Sequence, residues 1–266
     1  MNWRKQLAFI FLLVIYSLSS GSVYGQLQGK VRDLATDRPD ATESPVTVDK
    51  GMFQIESSFM SYTRDKDNGI KSESFGYGEI NFKYGISDNM DFQTIIVPWE
   101  RNIEKTATTK TITEGISDIT ARLKYNVIGN DSGDFGFAVM PFVVLPSGTE
   151  VSTEKLQAGI ILPTSLDLND KWGIGSQIEF GRFYQDEGSH EWGLTHTVVL
   201  GYEVSESFGV YLEHITAVGD HELELSASFG GTYLYAENIQ FDAGAMIGLT
   251  DSAPDLVAFS GFTIKF

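Results

Sequence analysis

The sequence predicts an antiparallel, up-and-down transmembrane β-barrel of about twelve strands in an outer membrane. Three observations lead to this prediction: a start with the features of a secretory signal, roughly a dozen stretches in which apolar and polar residues alternate, and a last strand that ends on Phe266. A closing strand with a terminal aromatic residue is typical of barrels in Gram-negative outer membranes, where the insertion machinery reads it. The chain has no cysteine, which excludes disulfides and thiolate metal sites.

The first 25 residues have the three parts of a secretory signal. Arg4 and Lys5 precede an apolar run over residues 7–18, and small residues stand before a predicted cleavage ahead of Gln26. A run of about 12 apolar residues is too short to cross a bilayer as a helix. No cysteine follows the predicted cut, so a lipoprotein anchor is excluded, and an uncleaved N-terminal anchor is the alternative interpretation.

Charge and hydropathy exclude two further classes of protein. The net charge is −17, which argues against nucleic acid as a partner. After the signal, no stretch approaches the ~18 consecutive apolar residues of a transmembrane helix. We therefore expect an exported protein that crosses the Gram-negative outer membrane with strands.

The rest of the chain divides into a short segment and a barrel. Residues 26–50 are polar and contain Pro39 and Pro45, so they are predicted to form a periplasmic N-terminal segment before a barrel over residues 51–266. Strands are predicted where apolar and polar residues alternate over the ~9–11 residues needed to cross a bilayer. The predicted strands are residues 52–62, 74–84, 90–98, 116–126, 134–145, 158–168, 172–183, 190–202, 208–217, 222–234, 239–249 and 256–266.

Two features favour a membrane barrel over a soluble sandwich. Short turns alternate with longer connections, among them residues 63–73, 99–115 and 146–157, as expected for periplasmic turns and outer loops. Aromatic residues also recur on the apolar face beside the short turns, which predicts a girdle at one membrane interface. These aromatic residues are Tyr84, Tyr125, Phe135, Trp172, Tyr202, Phe208, Tyr233 and Phe266.

Residues 36–45 carry the sharpest local signal, the motif T-D-R-P-D-A-T-E-S-P. It resembles the signature that follows the signal peptide in the "meta-pathway of phenol degradation" family of outer-membrane transporters. The segments at residues 51–56, 83–89, 115–119 and 141–148 are similar to that family as well, so the resemblance covers nearly the whole chain after the signal. It implies an outer-membrane barrel that serves transport and is linked to the breakdown of aromatic compounds, and it brings no catalytic residues.

The candidate site residues within this motif are Asp37, Arg38, Pro39, Asp40 and Glu43. One hypothesis places them in the lumen, where the planar guanidinium of Arg38 would pair with carboxylates of the barrel wall. The alternative is a capping turn, fixed by the prolines, that leads into the first strand.

The predicted register turns an excess of acidic residues towards the lumen. The lumen-lining candidates are Glu56, Glu79, Lys83, Asp91, Asp118, Arg122, Lys124, Asp167, Glu179, Glu213 and Asp242. A water-filled path with such a wall would prefer cations or neutral polar solutes. In a closed lumen, the same charges would pair with one another. Twelve strands lie between filled eight-stranded barrels and open sixteen-stranded porins, so barrel size does not decide between these alternatives.

An apolar patch interrupts this polar lining. Met140, Phe142 and Val144 of the fifth predicted strand face inward, with Ile161 and Pro163 nearby. The patch predicts either a path for a hydrophobic solute or a packing surface for the N-terminal segment.

The function that these residues predict is passive passage of small solutes, aromatic or hydrophobic ones among them, through an outer-membrane channel. One alternative is a closed structural or surface-interaction barrel. Another is a lipid-modifying barrel hydrolase with His190 or His221 near the longer loops, although no matching serine motif is present. We expect no enzyme activity, cofactor or metal site. The expected partners are outer-membrane lipid, a small-molecule solute and, through Phe266, the barrel-insertion machinery.

Overall fold

The computed structural model describes residues 31–153, 155–184, 190–219 and 222–266, so the predicted signal lies outside the described residues. Within these ranges the fold is all-β, and residues 32–265 form one compact unit. The strands are β1 Phe53–Asp67, β2 Ile70–Tyr77, β3 Ile80–Ser87, β4 Met90–Ile96, β5 Trp99–Lys105, β6 Lys110–Gly115, β7 Ile119–Ile128, β8 Phe135–Leu145, β9 Gln157–Asn169, β10 Trp172–Tyr184, β11 His190–Ser205, β12 Phe208–Gly219, β13 Glu222–Ala236, β14 Ile239–Gly248 and β15 Leu256–Lys265. The described residues contain no helix that is long and apolar enough to cross a membrane.

The described strands close into a cylinder of twelve antiparallel crossings, which confirms the predicted fold. From β7 to β15 each strand pairs with the next along the chain, and β15 then pairs with β1 over Gln54↔Lys265 to Arg64↔Leu256. Closure leaves every described strand except β6 with a partner on both sides, as hydrocarbon requires of backbone N–H and C=O groups. The short turns and the first and last strand ends share one rim, which is the periplasmic one in barrels of this kind.

Three neighbouring crossings are each made of two strands. β3 and β2 form the second crossing, β4 and β5 the third, and β7 and β6 the fourth. The interruptions fall at Gly78, where φ is +67°, at Pro98, which has no N–H to donate, and at residues 116–118. Beyond them, the end of β1 with β2, β5 and β6 forms a four-stranded sheet, which we call the outer extension.

The outer extension corrects two predicted loops. Residues 63–73 and 99–115, predicted above as longer outer connections, are mostly strand. β1 and β2 are joined by Asn68 and Gly69, whose φ angles of 49° and 81° are those that a two-residue hairpin turn requires. These strands carry charged residues on both faces, so they lack the clean alternation by which the sequence predicts strands.

The two faces of the wall differ as the alternation predicts. The aromatic side chains beside the short turns face outward and contact one another in pairs, for example Phe53 with Tyr84 at 4.8 Å and Trp172 with Tyr202 at 4.5 Å between ring centroids. The largest fully buried side chains inside are mostly polar, with Lys83 and Lys124 foremost. This inside-out arrangement, together with the closed cylinder, is that of a Gram-negative outer-membrane protein.

Candidate functional site

The chain before β1 folds into the lumen, and we call residues 32–50 the strap. The strap runs outside the sheet apart from one bridge between Lys50 and Gly85, so most of its backbone groups need partners from barrel side chains. Near the periplasmic rim, Lys265 Nζ donates to the carbonyl oxygens of Arg32 and Asp33 at 2.5 and 3.1 Å. Deeper in the lumen, the motif of residues 36–45 meets strands all around the barrel.

Asp37 is the buried centre of the first group of contacts. Lys124 Nζ donates to its Oδ1 at 2.8 Å, and Lys83 forms ion pairs with both Asp37 and Glu56. The side chain of Lys83 is only 2% exposed and that of Lys124 only 1%, so these carboxylates compensate the buried positive charge. Asp37 Oδ1 also accepts a hydrogen bond from Ser44 N at 2.9 Å, which closes the turn of the strap.

Arg38 binds β14 and β1. Its Nε and Nη2 donate to the two carboxylate oxygens of Asp242 at 3.1 and 2.7 Å, and its Nη1 donates to Ser58 Oγ at 2.7 Å. This is the bidentate pairing with a wall carboxylate for which guanidinium is suited. Gly261 makes room for it, because a Cβ at that position would lie 2.5 Å from Nη2.

The following residues of the strap are held by β7, β10 and β12. Ala41 N donates to Glu213 Oε2 at 2.9 Å, and Glu43 N donates to Gln177 Oε1 at 2.8 Å. Gln177 Nε2 in turn donates to the carbonyl oxygen of Ala41 at 3.0 Å, while the Glu43 carboxylate pairs with Arg122. The turn is therefore fixed through its backbone as well as its charges.

Two cavities lie on either side of this turn. The larger, about 800 Å³, opens among the periplasmic ends of β9 to β14, and the smaller, about 370 Å³, lies against β1, β3, β4 and β7. Arg38, Pro39 and Asp40 line both cavities. This part of the strap is thus the partition between them.

The structure brings most of the predicted lumen-lining residues together inside the barrel. Glu56, Lys83, Asp91, Lys124, Glu213 and Asp242 are buried, and Glu79, Arg122 and Glu179 are half-buried. Asp167 is exposed and lines the larger cavity near the rim.

Asp118 is the exception among the lumen-lining candidates. It lies at the break between β6 and β7 and accepts hydrogen bonds from Ser147 N at 2.9 Å and Thr153 N at 3.0 Å. It therefore fixes the connection between β8 and β9 instead of lining the strap. The prediction follows strict alternation through the break, where the backbone leaves the sheet and alternation no longer holds.

Several neutral residues that hold the strap are absent from the predicted set. Asn126 Nδ2 donates to the carbonyl oxygen of Pro45 at 2.8 Å, and Thr42 Oγ1 lies 2.6 Å from Thr197 Oγ1. The predicted lumen-lining residues are all charged. Neutral polar residues at inward positions of the strands, Gln177 among them, are the signal that could have revealed them.

The inward apolar patch forms a small cluster of its own. Met140, Phe142 and Ile161 are buried and pack together, with Val144 and Phe183 against them.

The histidines show no assembled catalytic triad in the described residues. His196 Nε2 lies 3.3 Å from Ser176 Oγ on the outward face, but that hydroxyl donates to the carbonyl oxygen of Thr197 at 2.8 Å. In the described part of the chain, no hydrogen bond joins His196 to a carboxylate. His190 contacts the carbonyl oxygen of Leu156 at 2.9 Å, and His221 lies outside the described residues.

Comparisons with known proteins agree with the fold. A family described as "Putative MetA-pathway of phenol degradation" matches residues 36–266. The COG4313 outer-membrane channel from Pseudomonas putida F1 has a TM-score of 0.62 at 12% identity, with 87% of this chain and 100% of that one covered. The NanC porin has a TM-score of 0.52 at 10% identity, covering 80% of this chain and 100% of the porin. No protein of curated function matches the sequence.

Proposed function

The chain belongs to the family described as "Putative MetA-pathway of phenol degradation", and from that premise we propose a passive outer-membrane channel for small solutes, with the strap as its gate. The observation that carries the proposal is the pair of polar cavities in one lumen, which share Arg38, Pro39 and Asp40 as a wall. A solute that enters from either rim meets this partition. Passage therefore requires the turn of the strap to move.

The solutes we propose are small cations and neutral molecules, including aromatic ones. Acidic residues outnumber basic ones in the lining of the larger cavity. The basic residues are Arg38 and Lys171, and the acidic ones are Asp40, Asp134, Asp167, Asp170 and Glu203. A wall with surplus negative charge raises the local concentration of cations. The P. putida relative is itself called a channel, which supports transport as the role of the fold. We propose no catalytic role, and recognition of Phe266 by the insertion machinery stays a prediction.

Single-channel recording in a planar bilayer tests this proposal. We expect discrete current steps with a higher permeability for K⁺ than for Cl⁻, because the cavity wall is acidic. Asp167→Asn should reduce that preference. Glu237→Gln, in a turn at the same rim but outside the cavity lining, is the matched control and should leave it unchanged. A folded protein that carries no current would instead support the closed barrel, and anion preference would contradict the proposed solute class.

The conductance is also expected to depend on pH through the strap, which does not itself cross the membrane. Burial and the neighbouring Glu213 raise the pKa of Asp40 well above its ordinary value. Burial raises the pKa of Glu43 to about 7 against the lowering effect of Arg122. An acid with a raised pKa in the docked state favours docking at low pH, and this advantage is lost as the pH rises through that pKa.

Asp37 affects docking of the strap in the sense opposite to Asp40 and Glu43, but in another pH range. Burial would raise its pKa, yet Lys124 and Lys83 hold the pKa below its ordinary value, so its contribution to docking is lost only in strong acid. Between pH 5 and 8 we therefore expect conductance to increase with pH. Asp40→Asn should reduce this slope, whereas Asp33→Asn at an exposed position of the strap should keep it. An undiminished slope in Asp40→Asn would contradict the assignment of the pH dependence to Asp40.

A further inference from the structure

Four lysines stand in one row across the outer extension. Cross-strand pairing aligns Lys66 of β1 with Lys71 of β2, Lys71 with Lys105 of β5, and Lys105 with Lys110 of β6. Directly paired residues of adjacent strands point to the same face of a sheet. The row therefore concentrates four of the 19 basic residues of an acidic chain on one face.

This face is the outward one. Ser61 of β1, in register with Gly76, lines the smaller lumen cavity. Successive side chains of a strand point to opposite faces, so residues 62, 64 and 66 face away from the lumen. Lys66 is one of these positions, and Arg64 and Tyr62 are others. The lysine row thus faces the membrane side of the barrel wall.

An amphipathic gradient leads up to the row. Tyr77 stacks on Trp99 at 5.0 Å, and Tyr62 contacts Phe75 at 5.0 Å, in the two outward rows nearest the breaks. The second of these rows continues across the extension with the ion pair of Arg101 and Glu114. The next outward row consists, from β1 to β6, of Arg64, Glu73, Ile103 and Ile112. It therefore ends in an apolar pair at the open edge of the outer extension. Aromatic rings followed by cations are the sequence of residues expected on passing from acyl chains to headgroups.

The height of the row agrees with this gradient. Lys66 follows Phe53, an aromatic residue of the periplasmic girdle, by 13 positions of one strand. At ~3.3 Å per residue and a tilt of roughly 40°, it lies about 33 Å above the girdle, beyond the apolar band of about 25 Å. The row is therefore at the level of the headgroups of the outer leaflet.

The charge of the row is only partly neutralised within the protein. Glu73 accepts from Lys105 at 2.9 Å and pairs with Lys71 at 3.0 Å. Lys105, Lys71 and the Tyr62 hydroxyl keep the pKa of Glu73 near 2, so this one carboxylate stays ionised between the two lysines. The outer lysines of the row, Lys66 and Lys110, have no ion pair with any other described residue.

We infer that the lysine row is a binding site for the phosphate groups of an outer-leaflet glycolipid headgroup, that of lipopolysaccharide. Ammonium groups in a line across ~4.8 Å strand spacings match an anionic headgroup that carries more than one phosphate. The aromatic pairs beneath, Tyr77 with Trp99 and Tyr62 with Phe75, would face its acyl chains. This site is on the opposite side of the wall from the lumen and does not depend on channel activity.

The test is a binding titration of the purified full barrel in detergent micelles with diphosphorylated lipid A, followed by native mass spectrometry. Lys66→Gln/Lys110→Gln removes charge without breaking an ion pair, and the fourfold variant that also carries Lys71→Gln and Lys105→Gln removes the row. Lys50→Gln/Lys171→Gln makes the same charge change near the periplasmic rim, where both side chains are exposed. Heat-modifiable migration shows that each variant is folded.

We expect binding to weaken about fivefold per lysine removed at low ionic strength, to weaken in high salt, and to stay unchanged in the periplasmic control. Enzymatically dephosphorylated lipid A should bind weakly to every variant. Equal binding by the double variant and its control would overturn the proposal, as would equal binding of the dephosphorylated lipid. Displacement of lipid A by millimolar inorganic phosphate would assign the row to free phosphate and overturn the lipid assignment.

Discussion

Freeing the lumen from the strap is expected to raise the single-channel conductance several-fold. Replacing residues 36–45 by a glycine–serine linker of equal length would remove Arg38, Pro39 and Asp40, the partition between the two cavities. It would also expose Asp242 and Glu213 to water, because both hold the strap. The expected result is a larger and more cation-selective current.

A disulfide that holds the strap to the barrel wall and can be reduced again provides the control within one protein. The hydroxyls of Thr42 and Thr197 are 2.6 Å apart, so we choose these positions for a disulfide between the strap and β11. The chain has no other cysteine to interfere. We expect Thr42→Cys/Thr197→Cys to be blocked when oxidised and to conduct again after reduction, while each single variant conducts in both conditions. Unchanged current on oxidation of a verified disulfide, or on replacement of the motif, would show that solutes do not pass the strap.

The largest effect on stability is expected from Asp37→Asn. The substitution keeps the shape of the side chain and an acceptor for Ser44 N, but it removes the carboxylate that lies against both Lys83 and Lys124. Lys83 would retain Glu56, whereas Lys124 would lose its ion-pair partner while only 1% exposed. Leaving one charge of a buried pair uncompensated costs about 3 kcal/mol or more.

Urea unfolding of the refolded barrel measures this cost. Asp37→Asn should lower the unfolding midpoint with an unchanged slope, and it should raise conductance because the strap is held less tightly. Asp33→Asn, on an exposed part of the strap, should leave the midpoint where it is. A change in stability below about 0.5 kcal/mol, the range of ordinary surface substitutions, would show that the lysines do not depend on Asp37.

The sequence was most informative where residues alternate in a bilayer. Lys83 and Lys124 were assigned to the lumen from alternation alone, and both are buried there. Alternation was misleading at Asp118, because the break between β6 and β7 changes the path of the backbone. It gives no clear signal for the outer extension, whose strands carry charged residues on both faces.

The motif of residues 36–45 shows a second limit of prediction from the sequence, which concerns contacts between residues far apart in the chain. Its charges predicted that Arg38 would pair with carboxylates of the wall, but left open whether the segment enters the lumen or caps the first strand. In the structure, the partner of Arg38 is Asp242, 204 positions away in the chain. No local pattern encodes a contact at that separation.

By itself, the sequence determined an exported all-β protein with about twelve crossings, because hydrocarbon requires each strand to show it an apolar face. Only the tertiary structure decided that the strap divides the lumen and that four lysines form one outward row. Both depend on register, the relative sliding of strands that are distant in sequence. Register is fixed by closure of the whole cylinder and by the turns that join its strands, so it exists only once the chain has folded.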